Sequence, residues 1–410
     1  LGDRYQSEGI RILTSLFSLV LFVYLAGQLV SGTVIFGTML GLAPFWALII
    51  TTAVLLVYVS LGGAHADILT DGIQGFLMLL LAALVVVLFL TGFGVEGGLS
   101  GVRDRLFEQD SNLVKPLNPE TPLYYSWWSI MAIFLAHVPL GLLPHIGNKL
   151  WALKDLQQQK SFVRLAFYSG LTLAMIGVGG LLARAVLGDA LLQEGSNPNQ
   201  ALPSLFIELF PPWLAALIGI GVLAAVMSTA DGLVIAASQI IANDLFRRTI
   251  VPRLANPPAA AVLDRRVLSI SRITTVLTLL ICTWLAWSLR EINIALIIWL
   301  GTGGMMAAFA GPLIIGSLWR GVTRQGAYAG LIGGFMTFAV LHIPLHNPDW
   351  FETGWLHRLS ARLYVESANP FSCTAIGEIV SMAATVLVSK ITKPLPTKHL
   401  DDMFGAKKRD

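Results

Sequence analysis

The chain has 410 residues, of which 55% are hydrophobic and only 12% are charged, and its formal net charge is +3. A soluble protein typically carries about 25% charged residues, so this composition indicates an integral membrane protein. The two cysteines, Cys282 and Cys373, lie in apolar stretches and form neither a disulfide framework nor a zinc-ligand spacing. The sequence contains no Walker-type phosphate loop, so we expect no direct coupling to ATP within this chain.

About ten apolar stretches are predicted to be membrane helices, because a bilayer core needs about 20 apolar residues per helix. Backbone groups in lipid must be paired within the segment, so each stretch is predicted to be helical. We therefore expect an all-α polytopic membrane protein with a single transmembrane domain over 1–410. The predicted spans are 12–37, 43–63, 66–93, 124–143, 162–188, 211–243, 267–288, 292–317, 325–344 and 371–391.

Basic residues are concentrated in alternate connecting segments. The basic segments are 144–163, 244–266, 318–324 and the tail after 389. The segment 189–210, in contrast, contains no Lys or Arg. The positive-inside rule places the basic segments in the cytoplasm. We therefore expect a multi-pass protein of the plasma (inner) membrane with both covered ends inside, external loops at 94–123 and 345–370, and a cytoplasmic tail at 392–410.

The sixth predicted span combines hydroxyl groups with a carboxylate. Ala225, Ser228, Thr229 and Gly232 recur at helical spacing and share one face, and Asp231 lies beside them. Hydroxyl, carbonyl and carboxylate oxygens are ligands for a small hard cation such as Na⁺. A carboxylate at membrane depth needs a cation, a proton or another partner. Ser and Thr hydroxyls in helices also bond back to the preceding turn, and that alternative stays open.

The third predicted span begins with acidic residues. Asp67, Asp71 and Gln74 lie at i, i+4 and i+7 and share a face. Acidic residues favour the first turn of a helix, and we prefer this explanation for Asp67. Asp71 lies about one turn deeper. It is either another first-turn acid or a carboxylate on the inner side of a cation site, where it would assist release of the ion.

Two further spans contain candidates for a solute pathway. Tyr24, Gln28 and Ser31 form a polar stripe in the first span, which could face a solute or join helices. Trp127 and His137 lie in the fourth span, near proline and glycine residues that can break a helix and expose its backbone to a cavity. A lone histidine is more often a packing residue than a proton carrier, so both interpretations of His137 remain.

Three other features have simpler explanations. The glycines of 301–304 and the pair Gly311-Pro312 could form a hinge that gates access, or could allow close helix packing. Arg184 and Glu378 are predicted near the ends of their spans, from which long side chains can reach water. We assign no role to either charge.

The segment 224–245, AAVMSTADGLVIAASQIIANDL, resembles the signature helix of the sodium:solute symporter family. Members of that family transport proline, pantothenate, monocarboxylates, sialic acid and sugars. The segments ADILTDGIQG (66–75), SLWRGVTRQGAYAGLIGG (317–334) and ITKPLPTKHL (391–400) are also similar to family sequences. The resemblance implies a leucine-transporter-like fold of two inverted five-helix repeats around a central site. It also implies Na⁺-driven symport by alternating access, with Na⁺ as the coupling ion and no enzymatic activity.

The resemblance also implies residue roles. The main sodium site would use the Ala225 carbonyl and the Ser228 and Thr229 hydroxyls, with further ligands from a broken first core helix. Some members have a second cation site that uses the acid equivalent to Asp71 and hydroxyls one turn along from the main site. Asp231 stands here at one of those hydroxyl positions. Two carboxylates could bind a second Na⁺ or share a proton.

Family members carry helices before the first span seen here. We therefore expect the chain to be N-terminally truncated, with the first core helices missing, and the 410 residues alone not to transport. The segments 141–155 and 211–229 look closest to pantothenate-type and related organic-anion members. No mid-span Lys or Arg is evident in the sequence, so an amino acid also remains a candidate substrate. We expect a small organic solute and membrane lipid as partners, and no nucleic acid.

Two alternative functions fit the same helices. Similar helical domains occur in signalling proteins, where they sense a solute. A symporter of the same fold could instead be coupled to H⁺ through Asp231, Asp71 or His137. Na⁺ dependence of uptake at fixed pH separates the second alternative from Na⁺ coupling.

Overall fold

The computed structural model describes residues 1–151, 153–194, 196–343 and 346–405, without the side chains of 61–69, 142, 148 and 151. The described residues form seventeen α-helices with short 3-10 and π segments and contain no strand, as predicted for an all-α protein. The helices are α1 Glu8–Ser18, α2 Leu21–Leu40, α3 Pro44–Thr91, α4 Gly98–Gln109, α5 Trp127–Ala136, α6 Pro144–Trp151, α7 Leu156–Ala174, α8 Val178–Leu187, α9 Ala201–Leu209, α10 Pro212–Gln239, α11 Ala260–Leu289, α12 Ile294–Phe309, α13 Gly316–Leu318, α14 Arg324–His342, α15 Trp355–Glu366, α16 Pro370–Ile391 and α17 Thr397–Phe404.

Seven stretches of helix in the described ranges are long and apolar enough to cross a membrane. They are Glu8–Leu40, Thr70–Thr91, Leu156–Leu187, Pro212–Arg253, Ala260–Leu289, Ile294–Leu318 and Pro370–Ile391. The other three predicted spans are also helical. Pro44–Ser60 and Trp127–Ala136 are shorter apolar helices. The third, α14, has 19 residues, and its four glycines lower its mean hydropathy.

The prediction of two separate spans at 43–63 and 66–93 was wrong, because both belong to the single helix α3. This helix has 48 residues, so at 1.5 Å per residue it is about 72 Å long. Its only proline is Pro44 in the first turn, where the ring blocks no helical hydrogen bond. Gly62 and Gly63 cost the helix only about 1 kcal/mol each, which is too little to end it.

The segments predicted as loops contain short helices. The helix α4 occupies part of 94–123, α15 lies within 345–370, and α17 lies within the tail at 392–410. Each of these helices is partly polar, which explains why a search for apolar spans passed over them. Their assignment to the two sides of the membrane stays a prediction.

Close backbone contact joins α2 to α12 in the main core. A Cβ atom on Gly301 would lie 2.3 Å from the backbone nitrogen of Tyr24, so only glycine permits this approach. Further along, the chain forms a π-helix over Ala310–Ile315, and the Gly311 amide donates to Ser381 Oγ at 3.0 Å. Of the two explanations for these glycines, the structure favours close packing at both positions.

The helices α14 and α16 pack against each other along a glycine face. A Cβ atom on Gly334 would lie 2.0 Å from the Ala307 carbonyl oxygen and 2.8 Å from Ser381 Cβ. Gly330 likewise faces Thr385 of α16. The helix α16 therefore makes close contact with α12 and α14 at once, and it also packs on α5.

The prediction that Glu378 reaches water from a span end was wrong. It lies in the third turn of α16 with 3% of its surface exposed, because neighbouring helices cover this helix on several sides. Its Oε1 has no hydrogen-bond partner among the described residues. Arg184, by contrast, lies in the last turn of α8 as predicted, where it pairs with Asp189 and donates to the Gly188 carbonyl.

The first and last described segments are held together by a cluster that we call the end clamp: Arg4, Arg320, His399, Asp401 and Phe404. The Phe404 ring centroid lies 4.9 Å from the Arg4 guanidinium and 5.5 Å from that of Arg320. Arg320 also pairs with Asp401 at 3.0 Å, and His399 Nε2 lies 3.0 Å from the Arg4 carbonyl oxygen. Such contacts fix α17 against the start of the chain.

The glycine face of α14 yields a matched test of packing. We expect Gly334→Ala to destabilise the protein by about 1–3 kcal/mol, because the new methyl group collides with the α12 backbone. Gly333→Ala is the control, since its nearest neighbours would be Val380 and Ala384 side chains at 3.7 and 3.8 Å. Thermal unfolding in detergent measures both. Equal stability of the two variants would contradict the packing described here.

Candidate cation and solute site

The middle of α10 brings the predicted cation ligands together. This helix begins with Pro212 in its first turn, where proline is favoured, and runs to Gln239. The Thr229 hydroxyl donates to the Ala225 carbonyl oxygen at 3.2 Å. The predicted ligands Ala225 and Thr229 therefore lie side by side. The same contact is the hydrogen bond to the preceding helical turn, which is the alternative explanation for the Thr229 hydroxyl given above.

The aromatic ring of Tyr24 joins α2 to this turn. Its hydroxyl lies close enough to the Thr229 side chain to interact with it. On its other side, the Tyr24 ring meets the His145 ring edge-on at 5.7 Å between centroids. The Nδ1 atom of His145 is buried and has no hydrogen-bond partner in the described part of the chain. Tyr24, which was predicted to line a solute pathway, therefore lies beside the candidate cation site, together with His145, which no sequence pattern indicated.

A second polar cluster lies beside the first and is centred on Asp71. The Ser228 hydroxyl donates to Asp71 Oδ1 at 2.6 Å. The other carboxylate oxygen, Oδ2, forms an ion pair with the Lys149 ammonium group of α6. The side chains of Lys149 and Asp71 are 29% and 18% exposed, so this pair is largely shielded from solvent. Asp71 and Ser228, which were predicted to belong to two different cation sites, are thus joined across α3 and α10. Asp67 lies outside the residues with described side chains.

Lys149 brings a cation to this cluster that was not expected there. It lies in the segment 144–163, which was predicted to be a basic connecting segment because the fourth span was predicted to end at 143. The structure ends α5 at Ala136 and forms a further short helix, α6, from Pro144 to Trp151. The prolines and glycine at 139–144, recognised as possible helix breaks, lie between the two helices.

Asp231 is fully buried in α10, with no exposed surface. Its Oδ1 accepts a hydrogen bond from the Gly232 amide at 2.7 Å. A Cβ atom placed on Gly232 would lie 3.7 Å from the Lys149 ammonium nitrogen. The Lys149 ammonium therefore lies against the same turn of α10 that carries Asp231.

The remaining pathway candidates lie in different surroundings. Gln28 is buried in α2, and the Ser31 hydroxyl donates to a carbonyl of its own helix at 2.9 Å. Trp127 is the first residue of α5 and is 65% exposed. His137 packs on the Trp299 ring at 4.6 Å between centroids. Of this set, only Tyr24 makes a described contact with Thr229, and the pathway roles of the others stay predictions.

The donor set determines which ions fit. Within the described ranges, no group of three or more His, Cys, Asp or Glu residues is arranged to hold a metal ion. The α10 turn instead presents one carbonyl and two hydroxyl oxygens, from Ala225, Ser228 and Thr229, with the Asp71 carboxylate nearby. Neutral oxygen donors with one carboxylate suit a small, hard, singly charged cation.

Comparison with known proteins agrees with this donor set. The sequence model of the family described as "Sodium:solute symporter family" matches residues 1–334. The chain belongs to the sodium:solute symporter family. The match includes the α10 turn, Asp71 and Lys149, so all the cation-site candidates lie inside the family region.

Relatives in the sodium:solute symporter family include transporters of two solutes. The chain is 28% identical over 351 residues to the sodium/pantothenate symporter of Haemophilus influenzae, covering 84% of this chain and 69% of that protein. It is 27% identical over 339 residues to sodium/proline symporter 2 of Staphylococcus saprophyticus, covering 81% and 62%. The chain thus spans about two thirds of the length of these relatives.

A solved structure confirms the predicted fold. The substrate-bound, outward-open state of a Na⁺-coupled sialic acid symporter superimposes with a TM-score of 0.68 at 18% identity. The match covers 96% of this chain and 76% of the other. At this identity the likeness shows the fold alone, which is the leucine-transporter-like, all-α membrane architecture that the sequence predicts.

The Asp71–Lys149 ion pair is expected to contribute to the stability of the protein, which can be tested by removing the negative charge of Asp71. We expect Asp71→Asn to destabilise the protein by about 1–3 kcal/mol in Na⁺-free buffer, because a partly shielded ammonium loses its counter-charge. The amide can still accept from Ser228, so the change isolates the charge. Asp189→Asn is the control, since Asp189 also pairs with an arginine but is 69% exposed. Thermal unfolding that ranks the two variants the other way would contradict this expectation.

Proposed function

We propose that this chain is the transport domain of a secondary active transporter that carries a small organic solute together with Na⁺ by alternating access. One observation carries the proposal: within a member of this family, the Tyr24 hydroxyl of α2 lies beside the turn of α10 that carries the Ala225 carbonyl and the Thr229 hydroxyl. This arrangement suits binding and release of an ion and involves no covalent chemistry. We place the protein in the plasma membrane, with both described ends in the cytoplasm.

The hydrogen bonds of the α10 turn leave lone pairs for Na⁺. A hydroxyl has one proton to donate and two lone pairs to offer. Ser228 donates its proton to Asp71, and Thr229 donates its proton to the Ala225 carbonyl. Both hydroxyl oxygens therefore keep lone pairs for a cation. The Ala225 carbonyl accepts the Thr229 hydroxyl in addition to its helical amide, so an ion bound there would replace the hydroxyl contact. The bonds fix the orientation of the two hydroxyls without using their capacity to bind Na⁺.

We propose that the solute carries a carboxylate. Pantothenate and proline, the solutes named for the two relatives, share that group. The Tyr24 hydroxyl lies beside Thr229, and His145 packs against the Tyr24 ring. Tyr24 and His145 would bind the polar end of a solute next to the Na⁺ ion. Attraction between Na⁺ and the carboxylate then makes binding of each favour binding of the other.

Uptake by the full-length protein in proteoliposomes tests the function directly. We expect one solute among pantothenate, short monocarboxylates, proline, sialic acid and glucose to accumulate against its gradient when Na⁺ is high outside. Accumulation should disappear when K⁺ replaces Na⁺ at constant pH. Accumulation that follows a pH gradient and ignores Na⁺ would favour H⁺ coupling. Solute binding without any uptake would favour the sensor alternative.

The main sodium site is tested by removing one hydroxyl. We expect Thr229→Ala to raise the Na⁺ concentration needed for half-maximal uptake about tenfold or more, since a lost interaction with a charged group costs roughly 1.5–3 kcal/mol. Thr229→Ser should retain most of the affinity because it keeps the oxygen.

The control for this experiment is Thr33→Ala. Thr33 is also buried, and its hydroxyl donates only to the Leu29 carbonyl of its own helix, at 2.8 Å, among the contacts described. A shift in Na⁺ dependence that is equally large for Thr33→Ala would show that any lost helix hydroxyl has this effect. The assignment of Thr229 as a ligand would then fail.

A further inference from the structure

We propose that the Lys149 ammonium is a built-in cation at the second cation site, so that the protein binds one Na⁺ where Asp71 and Asp231 would otherwise accommodate two. This inference rests on the proposed function, because it concerns how many ions that function uses. It starts from a residue that no sequence pattern selected.

Both carboxylate oxygens of Asp71 already have a partner in the described structure. Oδ1 accepts the Ser228 hydroxyl at 2.6 Å, and Oδ2 is held by the Lys149 ammonium. The same ammonium nitrogen would lie 3.7 Å from a Cβ atom on Gly232, directly after Asp231. Lys149 therefore fills the space between the Asp71 carboxylate and the α10 turn. A Na⁺ ion bound to Asp71 and Ser228 would have to displace it.

Charge leads to the same conclusion. An ammonium and a Na⁺ ion each carry one positive charge. At a separation of about 4 Å and the effective dielectric constant of a partly shielded site, their repulsion weakens Na⁺ binding about a thousandfold. A millimolar ion site would be abolished by that factor. Lys149 and a second Na⁺ thus exclude one another, whereas Lys149 satisfies Asp71 without an ion.

The position of Lys149 also connects it to the main site. His145 and Lys149 are four residues apart on α6 and project from the same face. His145 reaches the Tyr24 ring, whose hydroxyl meets Thr229, while Lys149 reaches Asp71, which holds Ser228. One turn of α6 therefore contacts partners of both hydroxyl ligands. The lysine fixes the orientation of Ser228 through Asp71, which makes it a positioning residue for the Na⁺ that does bind.

The test is the number of Na⁺ ions bound by the full-length protein, measured by equilibrium binding of radioactive Na⁺ in detergent without solute. We expect one ion for the wild type and for Lys149→Arg, which keeps the charge. Lys149→Gln should bind two, because it leaves Asp71 open to an ion, and Na⁺ should then raise its unfolding temperature more than it raises that of the wild type. Adding Asp71→Asn to Lys149→Gln should return the count to one.

Lys154→Gln is the matched control, since Lys154 lies five residues further along on the exposed surface and should leave the count unchanged. Two Na⁺ ions bound by the wild type would overturn the inference and leave the proposed function intact. This measurement uses the wild type alone, so it does not depend on whether a variant folds. A single ion in a folded Lys149→Gln variant would overturn it as well. A wild type that binds no Na⁺ would instead overturn the proposed function, and this inference with it.

Discussion

A polar group inside the membrane-spanning part of a protein must find its partner within the protein, and this constraint governs the whole site. It explains why Asp71 holds a lysine and a serine at once, and why Thr229 and Ser31 bond to their own helices. Of these contacts, only those of Asp71 join different helices, linking α3 to α10 and to α6. Elsewhere in the core, glycine at 301 and 334 allows backbone contact between helices.

Most of the helices could be predicted from the sequence, because apolar runs depend on local information, whereas the cation role of the α10 turn stays a prediction. Apolar runs of about 20 residues predict membrane helices regardless of the fold around them, and adjacent hydroxyls one turn from a carbonyl predict a cation site. Lys149 and Glu378 were misjudged because their surroundings are set by helices distant in sequence. The contact of Lys149 required knowledge that α6 packs against α10. Glu378 required knowledge of which helices cover α16.

The division between the two clusters has a functional logic. The cluster of Ala225, Thr229 and Tyr24 consists of neutral groups, which in the proposed function would bind an ion weakly enough to release it. The cluster of Asp71 and Lys149 is an internal ion pair between α3 and α6, which needs no bound ion. Ser228 is adjacent to Thr229 and donates its proton to Asp71, so it links the two clusters. A transporter needs both properties, because an ion site that also maintained the fold could not empty without unfolding.

The end clamp has a consequence for the path of the chain. His399 contacts the Arg4 carbonyl at 3.0 Å, so these two residues lie on the same side of the bilayer. The number of crossings between them must therefore be even. If each of the seven long apolar helices crosses the membrane once, they give an odd number of crossings. At least one further described helix must then cross as well. The helix α14 has 19 residues, about 28 Å at 1.5 Å per residue, which matches a bilayer core of about 30 Å. Parity thus requires a crossing beyond the seven longest apolar helices, and α14, which covers the predicted span 325–344, has the length for it.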